Sequence, residues 1–291
     1  MMSNPPLVSV ICLCYNHEKY VKEAIQSVLD QNYQAVQLIV LDDGSTDQSA
    51  ATIRSIISHH PSIQFLVNEI NQGYTKSLNK ALSYASGEFI VDLAADDILL
   101  PSRIDEGVNA LLQAGTKYGV NFSDAELISE QGISIGFHSD KYPHHSIPEG
   151  DVYAPIISRY FICSPTMLFR KKVIEQLGGY DESLAFEDFD FLVRASREFY
   201  FCYSPKALVK RRLVPFSMSQ KQFSRGNAQR LSTLRVCEKI EKLNRTAEEK
   251  NALKKRVRYE ILLSLRMFDF NLALAFLQFY FRLSSPKTML V

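Results

Sequence analysis

The chain predicts an α/β fold, a mostly parallel sheet with helices on both faces, and three observations carry that expectation. Apolar runs such as Val8–Leu13, Val36–Leu41 and Phe89–Val91 alternate with segments whose apolar residues recur at helical spacing. The runs have no polar face, which implies burial on both sides, as a parallel sheet covered by helices requires. With 291 residues, 46% hydrophobic and 22% charged, the composition is that of an ordinary globular chain with material for a large core.

The elements follow in order. Strand Leu7–Leu13 leads to a helix marked by Tyr20, Val21, Ala24, Ile25, Val28 and Leu29. Strand Val36–Leu41 precedes a helix carrying Ala50, Ile53, Ile56 and Ile57. Strand Ile63–Val67 precedes one carrying Leu78, Ala81, Leu82 and Ala85, and strand Glu88–Leu93 comes next. Right-handed crossovers place the ends of these strands on one edge. Pro101 suits a first helical turn, and Ile104, Val108, Leu111 and Leu112 continue that helix, leaving Asp96-Asp97 on a loop. The period then changes. Tyr118–Ser123, Glu126–Ser129 and Ile133–Gly136 read as short strands, some antiparallel, and residues 137–150 as a long loop holding His138, His144 and His145. A helix closes at Gly178-Gly179, another opens at Phe186–Asp190, and the chain is helical from about residue 217 onward.

Charge is distributed unevenly. Residues 1–200 hold 14 Lys and Arg against 26 Asp and Glu, while residues 201–291 hold 19 against 6. The basic end either packs on the acidic body or meets an anionic partner such as a phospholipid surface. Its last apolar stretch, between Phe268 and Leu283, is preceded by Arg266 and interrupted by Asp269, Asn271, Gln278 and Arg282, too often for the roughly 20 apolar residues of a membrane span. Such a helix can lie on a bilayer. The first residues lack the order of a secretory signal, which gives the expectation of a cytoplasmic protein, at most peripheral on the inner membrane. Five cysteines without a Cys-x-x-Cys pair read as buried, reduced thiols rather than a zinc site.

The most informative residues are two acidic strand ends, Asp42-Asp43 after Val40-Leu41 and Asp96-Asp97 after Phe89–Ala95. Ligand crevices of α/β sheets lie at the carboxyl ends of the strands. Carboxylates gathered there repel one another unless a base donor, water or a cation intervenes, and Mg²⁺ or Mn²⁺ held together with substrate phosphates meets that need. The pattern points to a nucleoside diphosphate binder.

Four motifs resemble those of family 2 inverting nucleotide-sugar glycosyltransferases. They are Val8-Ser9-Val10-Ile11-Cys12-Leu13-Cys14-Tyr15-Asn16, Leu41-Asp42-Asp43-Gly44-Ser45-Thr46-Asp47, the turn and helix start Asn71–Ala81 together with the acidic segment Phe89–Asp97, and Glu187-Asp188. The resemblance covers about residues 7 to 215. It implies the GT-A type of Rossmann-like fold as a catalytic domain over 1–216, with 217–291 a basic, amphipathic helical extension. It implies a sugar moved from a nucleotide-diphosphate donor, UDP favoured, to a saccharide or lipid-linked acceptor, with Mn²⁺ or Mg²⁺ as cofactor, in surface polysaccharide or glycolipid synthesis.

Residue by residue, the resemblance assigns Asp96 to the metal and diphosphate and Asp97 to the sugar or its loop. Asp43 accepts the imide N–H of the base, with Tyr15 and the Cys14 backbone as the other wall, and Ser45 stands beside it. Lys76 reaches the phosphates. Asp188 is the general base and Glu187 orients it. Ser45 and Thr46 also read as helix-start caps, with Asp47 at the positive helix end. One position departs from the family: Ala94 stands where the acidic tetrad has its first Asp. That departure motivates the alternative of a non-catalytic sugar-nucleotide binder acting as sensor or assembly partner. A nucleotidyltransferase or a dehydrogenase would need a glycine-rich turn where Tyr15-Asn16-His17-Glu18 stands, and the chain shows no platform for nucleic acid.

Overall fold

The computed structural model describes residues 4–142, 147–214 and 227–284; His144 and His145 lie outside them. The chain divides into two compact units. The first comprises residues 1–150, 162–180 and 198–214, and the second residues 151–161, 181–197 and 215–291.

The first unit is built on one sheet. Strands β1 (Val8–Cys14), β2 (Val36–Asp42), β3 (Gln64–Val67) and β4 (Phe89–Ala94) pair in parallel in the order β3-β2-β1-β4. All seven residues of β1 are buried although successive side chains face opposite sides, so both faces of the sheet are covered. Helices α1 (Val21–Leu29), α2 (Ser49–Ile57) and α3 (Tyr74–Leu82) make the crossovers. On α1 the residues Val21, Ala24, Ile25 and Val28 face the core; each Val or Ile fully buried this way stabilises by about 1.5–3 kcal/mol.

Beyond β4 the sheet is mixed rather than parallel. The continuation is β8 (Leu168–Arg170), β6 (Tyr118–Ile128), β9 (Tyr200–Arg212) and β5 (Ile98–Leu99), with β7 (Ser134–Phe137) beside β6. The two short strands expected over 118–129 are one strand, irregular around Ser123–Ala125, where Asp124 turns its carboxylate onto the Ala125 and Ser139 N–H groups. Residues 138–141, expected as loop, form a short 3-10 turn beside β7. Pro101 precedes helix α4 (Arg103–Ala114) instead of entering its first turn, because β5 intervenes and Ser102 is the capping residue. Helix α6 (Lys171–Leu177) ends at Gly178 with φ 70°, as the double glycine implied.

Arg103 is a strut under this sheet. It is fully buried and donates to Asn121 Oδ1 at 2.9 Å and to the Thr166 carbonyl at 2.6 Å, and burial lowers its pKa to about 10. All five cysteines are free and buried; burial pushes Cys14 and Cys237 up to about 12 and Cys163 to about 11.

The second unit is helical, with α5 (Tyr153–Ser158), α7 (Glu187–Glu198), α8 (Ala228–Leu243), α9 (Ala247–Arg266) and α10 (Phe270–Ser284). Thr246 and Glu249 form a capping box at the start of α9, and Asn227 caps α8. Arg197 lies over the Tyr153 ring at 3.4 Å and pairs with Glu249 at 2.7 Å, while the Tyr153 hydroxyl donates to Asn244 at 3.0 Å. No helix among the described residues is long and apolar enough to cross a membrane.

Candidate active site

The parallel strands end together. Cys14 pairs with Asp42 and Leu13 with Ala94, so the β2 and β4 tips flank β1 on one edge. Asn16, at φ 56°, turns the chain there, and the loops after β1 and β2 are stitched to each other. The Asn16 N–H donates to Ser45 Oγ at 2.9 Å, the Thr46 N–H to Asn16 Oδ1 at 2.8 Å, and the Glu18 N–H to Asp47 Oδ2 at 3.0 Å. Ser45 and Thr46 are therefore links between loops, not helix caps. Asp47 takes that role: its Oδ1 accepts the Ser49 N–H at 2.9 Å in the first turn of α2. Burial pushes the Asp47 carboxyl up, but the Ser49 hydroxyl and the Ser49 and Glu18 N–H groups outweigh it and hold it below its usual value.

Asp43 is the hub of the edge. Its N–H donates to the Cys14 carbonyl at 2.8 Å. Oδ1 accepts from Asn68 Nδ2 at 2.8 Å and the Gln72 N–H at 2.9 Å, and Oδ2 from the Gly73 N–H at 2.9 Å. Four acceptor sites on an ionised carboxylate less these three donors leave about one on Oδ2. Gly44 permits this convergence, since a Cβ there would stand 2.6 Å from the Ile70 carbonyl carbon. Asn71 and Gly73 shape the turn, the Gly73 N–H also donating to Asn71 Oδ1 at 2.8 Å. Exposed Tyr15 follows β1, and exposed Lys76 sits on the first turn of α3, at the same edge. Asp42 is buried, with Oδ2 accepting the Ser45 N–H at 3.1 Å and Oδ1 without a partner.

The second acidic tip separates its two carboxylates. Asp97 is buried and accepts the Arg212 N–H at 2.8 Å; burial, then the Asp96 charge, holds its carboxyl well above the usual range. Asp96 accepts no hydrogen bond at its carboxylate among the described residues, and His17 Nε2 stands 4.0 Å from Oδ2. The Arg212 guanidinium fastens the turn from behind: Nε donates to the Asp96 carbonyl at 3.0 Å, Nη1 to the Glu130 carbonyl at 3.1 Å, and Nη2 to Glu23 at 2.6 Å. Earlier on β4, the buried Asp92 accepts the Tyr74 hydroxyl at 2.8 Å. No three metal-ligating side chains gather among the described residues. Mg²⁺ or Mn²⁺ is nonetheless compatible with this edge, because one or two carboxylates suffice where diphosphate oxygens and water complete the shell. Asp96, half-buried, without a hydrogen bond at its carboxylate and 4.0 Å from His17 Nε2, fits that role.

Glu187 and Asp188 lie in the second unit, in the first turn of α7, Glu187 buried and Asp188 half-buried. The same turn contains Asp190, 1% exposed, which accepts from Arg194 Nε at 2.7 Å and from Lys239 Nζ at 2.8 Å and so anchors the helix. Sequence reasoning passed over Asp190, and over His17 and Asn68 as parts of the edge. Asn68 joins Asp43 to Ser77 at 2.9 Å and accepts Lys80 Nζ at 2.6 Å, making Lys80 the lysine engaged with this network. The available signal was its position, the first polar residue after the apolar run of β3.

Residues 9–178 match the model of the family described as glycosyl transferase family 2. An uncharacterized glycosyltransferase of Haemophilus influenzae is 32% identical over 218 residues, spanning 73% of this chain and 67% of its own length. Staphylococcus aureus TarS 1-349, solved in complex with UDP-GlcNAc, superposes with a TM-score of 0.69 at 19% identity, covering 86% of this chain and 71% of its own. The mannosyltransferase PcManGT of Pyrobaculum calidifontis, solved with GDP-Man and Mn²⁺, gives 0.63 at 16% identity over 97% of this chain and 85% of its own. The fold is the GT-A type, and the chain belongs to glycosyl transferase family 2.

Proposed function

We propose that the chain transfers a sugar, with inversion, from a nucleotide-diphosphate donor, UDP favoured, to a hydroxyl of a saccharide or lipid-linked acceptor in surface polysaccharide synthesis. The observation that carries the reading is Asp43: a buried carboxylate fixed by three donors, with an acceptor site left for the N–H of a base, at the edge that also bears the Asp96 carboxylate, which accepts no hydrogen bond among the described residues. Tyr15 supplies an aromatic wall, Ser45 holds the base loop, Lys76 meets the phosphates, and Asp97 keeps the acidic turn in place. A divalent ion held by Asp96, when bound, neutralises charge on the leaving diphosphate. Asp188, oriented by Glu187, accepts the proton of the acceptor hydroxyl; the oxygen then bonds the anomeric carbon as the bond to the diphosphate breaks.

In this reading residues 1–216 are catalytic and 217–291 are an extension by which a cytoplasmic enzyme touches the inner face of the membrane. Exposed Phe268, Phe270, Leu274 and Phe281 among the basic residues of α9 and α10 support that contact. Loss of pelleting with anionic liposomes when 217–291 are removed is the expected result.

A thermal-shift screen of UDP, GDP and dTDP with and without Mn²⁺ tests the donor, because a ligand at a hundredfold its Kd stabilises by about 2.7 kcal/mol. Transfer assays with the matching nucleotide sugars follow. Ala94 supports a second reading, a sugar-nucleotide sensor. Tight donor binding without any turnover or donor hydrolysis would select it and remove the transferase.

A further inference from the structure

Helix α7, which carries Glu187 and Asp188, belongs to the compact unit that contains residues 215–291 and not to the unit of the sheet. Contacts from the C-terminal helices hold it along its length. The Ser232 hydroxyl of α8 accepts the Ala185 N–H at 2.7 Å, two residues before the acidic pair. Lys239 Nζ, also on α8, donates to Asp190 Oδ1 at 2.8 Å and to Asp181 Oδ2 at 2.6 Å. From α9, Arg256 lies over the Phe189 ring at 4.7 Å, and Glu249 accepts from Arg197 at 2.7 Å in the last turn of α7.

Lys239 differs from the other contacts in what it joins. Asp181 and Asp190 bracket the acidic pair in the chain, so one ammonium closes the segment 181–190 into a loop and fixes it against α8. The Asp181 end is itself held, since Oδ1 accepts the Ser183 N–H at 2.9 Å and the Ser183 hydroxyl at 2.7 Å. Asp190 has a second cation, Arg194 at 2.7 Å, but that pair lies within one helix and does not tie α7 to α8. Removing the Lys239 ammonium therefore leaves Asp190 neutralised in its buried position, and the fold survives. What it releases is the turn that presents Asp188. Misplacing a reacting group by about 1 Å can cost roughly 10²-fold in rate.

We propose that Lys239 is a positioning residue for the transfer reaction: through Asp181 and Asp190 the C-terminal extension sets the place of Asp188, and so serves catalysis apart from any membrane contact. The inference rests on the reading of Asp188 as the base. The test uses the full chain and follows release of nucleoside diphosphate from UDP-GlcNAc, UDP-glucose and GDP-mannose with Mn²⁺. On the donor that the parent turns over, Lys239→Met lowers kcat about ten- to a hundredfold while nucleotide Kd stays within about twofold. Lys239→Arg, which keeps the cation, restores most of the rate. In an Asp188→Asn background Lys239→Met causes no further loss, because residues that act as a unit are not additive. Unchanged kcat, equal losses of rate and affinity, or a full additional loss in the Asp188→Asn background would each overturn the proposal. Hydrogen exchange supplies a readout that needs no turnover. In Lys239→Met the amides of residues 185–190 exchange about tenfold or more faster, and those of β1 and β2 keep the parent's rates. Unaltered exchange at 185–190 overturns the proposal even where the parent binds nucleotide without turning it over, the outcome that removes the transferase reading. Ser232→Ala, which reaches the same turn through the Ala185 N–H, is the second variant if Lys239→Met does not fold, and the same pattern is expected of it.

Discussion

The sheet edge of the first unit and the helices of the second stabilise buried charge by different means. At the edge, carboxylates are held by backbone N–H groups: Asp43 by Gln72 and Gly73, Asp42 by Ser45, Asp47 by Ser49 and Glu18, Asp97 by Arg212. In the second unit, charge is met by side chains, Arg197 with Glu249, Arg256 with Glu260, and Lys239 with Asp181 and Asp190. Backbone donors fix loop shape, so the edge is ready for a ligand before one arrives. Side-chain pairs fix helices to one another instead, and they depend on pH and on both partners being present.

The largest expected effect separates the two units by function. Asp188→Asn, in the second, reduces transfer by roughly 10²–10⁴-fold while nucleotide affinity stays within experimental error; near-normal turnover would remove Asp188 as the base. A deletion within the first unit comes next. Arg103→Met leaves the Thr166 carbonyl and Asn121 Oδ1 without their donor, and urea unfolding should register a loss of about 2–4 kcal/mol. Asp43→Asn then weakens nucleoside diphosphate binding about ten- to thirtyfold by titration, since the amide cannot accept at both of its ends. A variant that binds as tightly as the parent would show that the carboxylate serves the loop alone.

Lys239→Met carries the smallest effect, about 1.5 kcal/mol, because Asp190 retains Arg194. It also has a pH signature. The Lys239 ammonium, then the Ser183 hydroxyl, hold the Asp181 carboxyl well below its unfolded value. Stability from that contact is complete above about pH 4 and is lost as pH falls through the lower, folded value. Melting curves of the variant should therefore change less on acidification than those of the parent.

Much of the first unit was legible because its strands are buried on both faces and write themselves as apolar runs. The motifs at their ends were legible for the same reason, each acid standing out after such a run. Strand β9 was not. Its Lys206, Lys210, Arg211 and Arg212 erase the apolar pattern, and their compensation comes from far along the chain: Lys210 with Glu126 at 3.8 Å and Arg212 with Glu23 at 2.6 Å. Helix α5 is a single short turn structure without room for a periodicity to show. Asp190 was hidden by its neighbours, since three acids in one helical turn look alike until Arg194 and Lys239 pick one of them.

Arg212 has a consequence for where the protein is vulnerable. One guanidinium gathers the Asp96 carbonyl, the Glu130 carbonyl and the Glu23 carboxylate, so a change on the outward helix at Glu23 is transmitted to the turn that carries Asp96, the acid proposed to meet the donor. Loosening that tether would let Asp96 drift without any substitution near the substrate, and the defect would surface as a poorer grip on diphosphate.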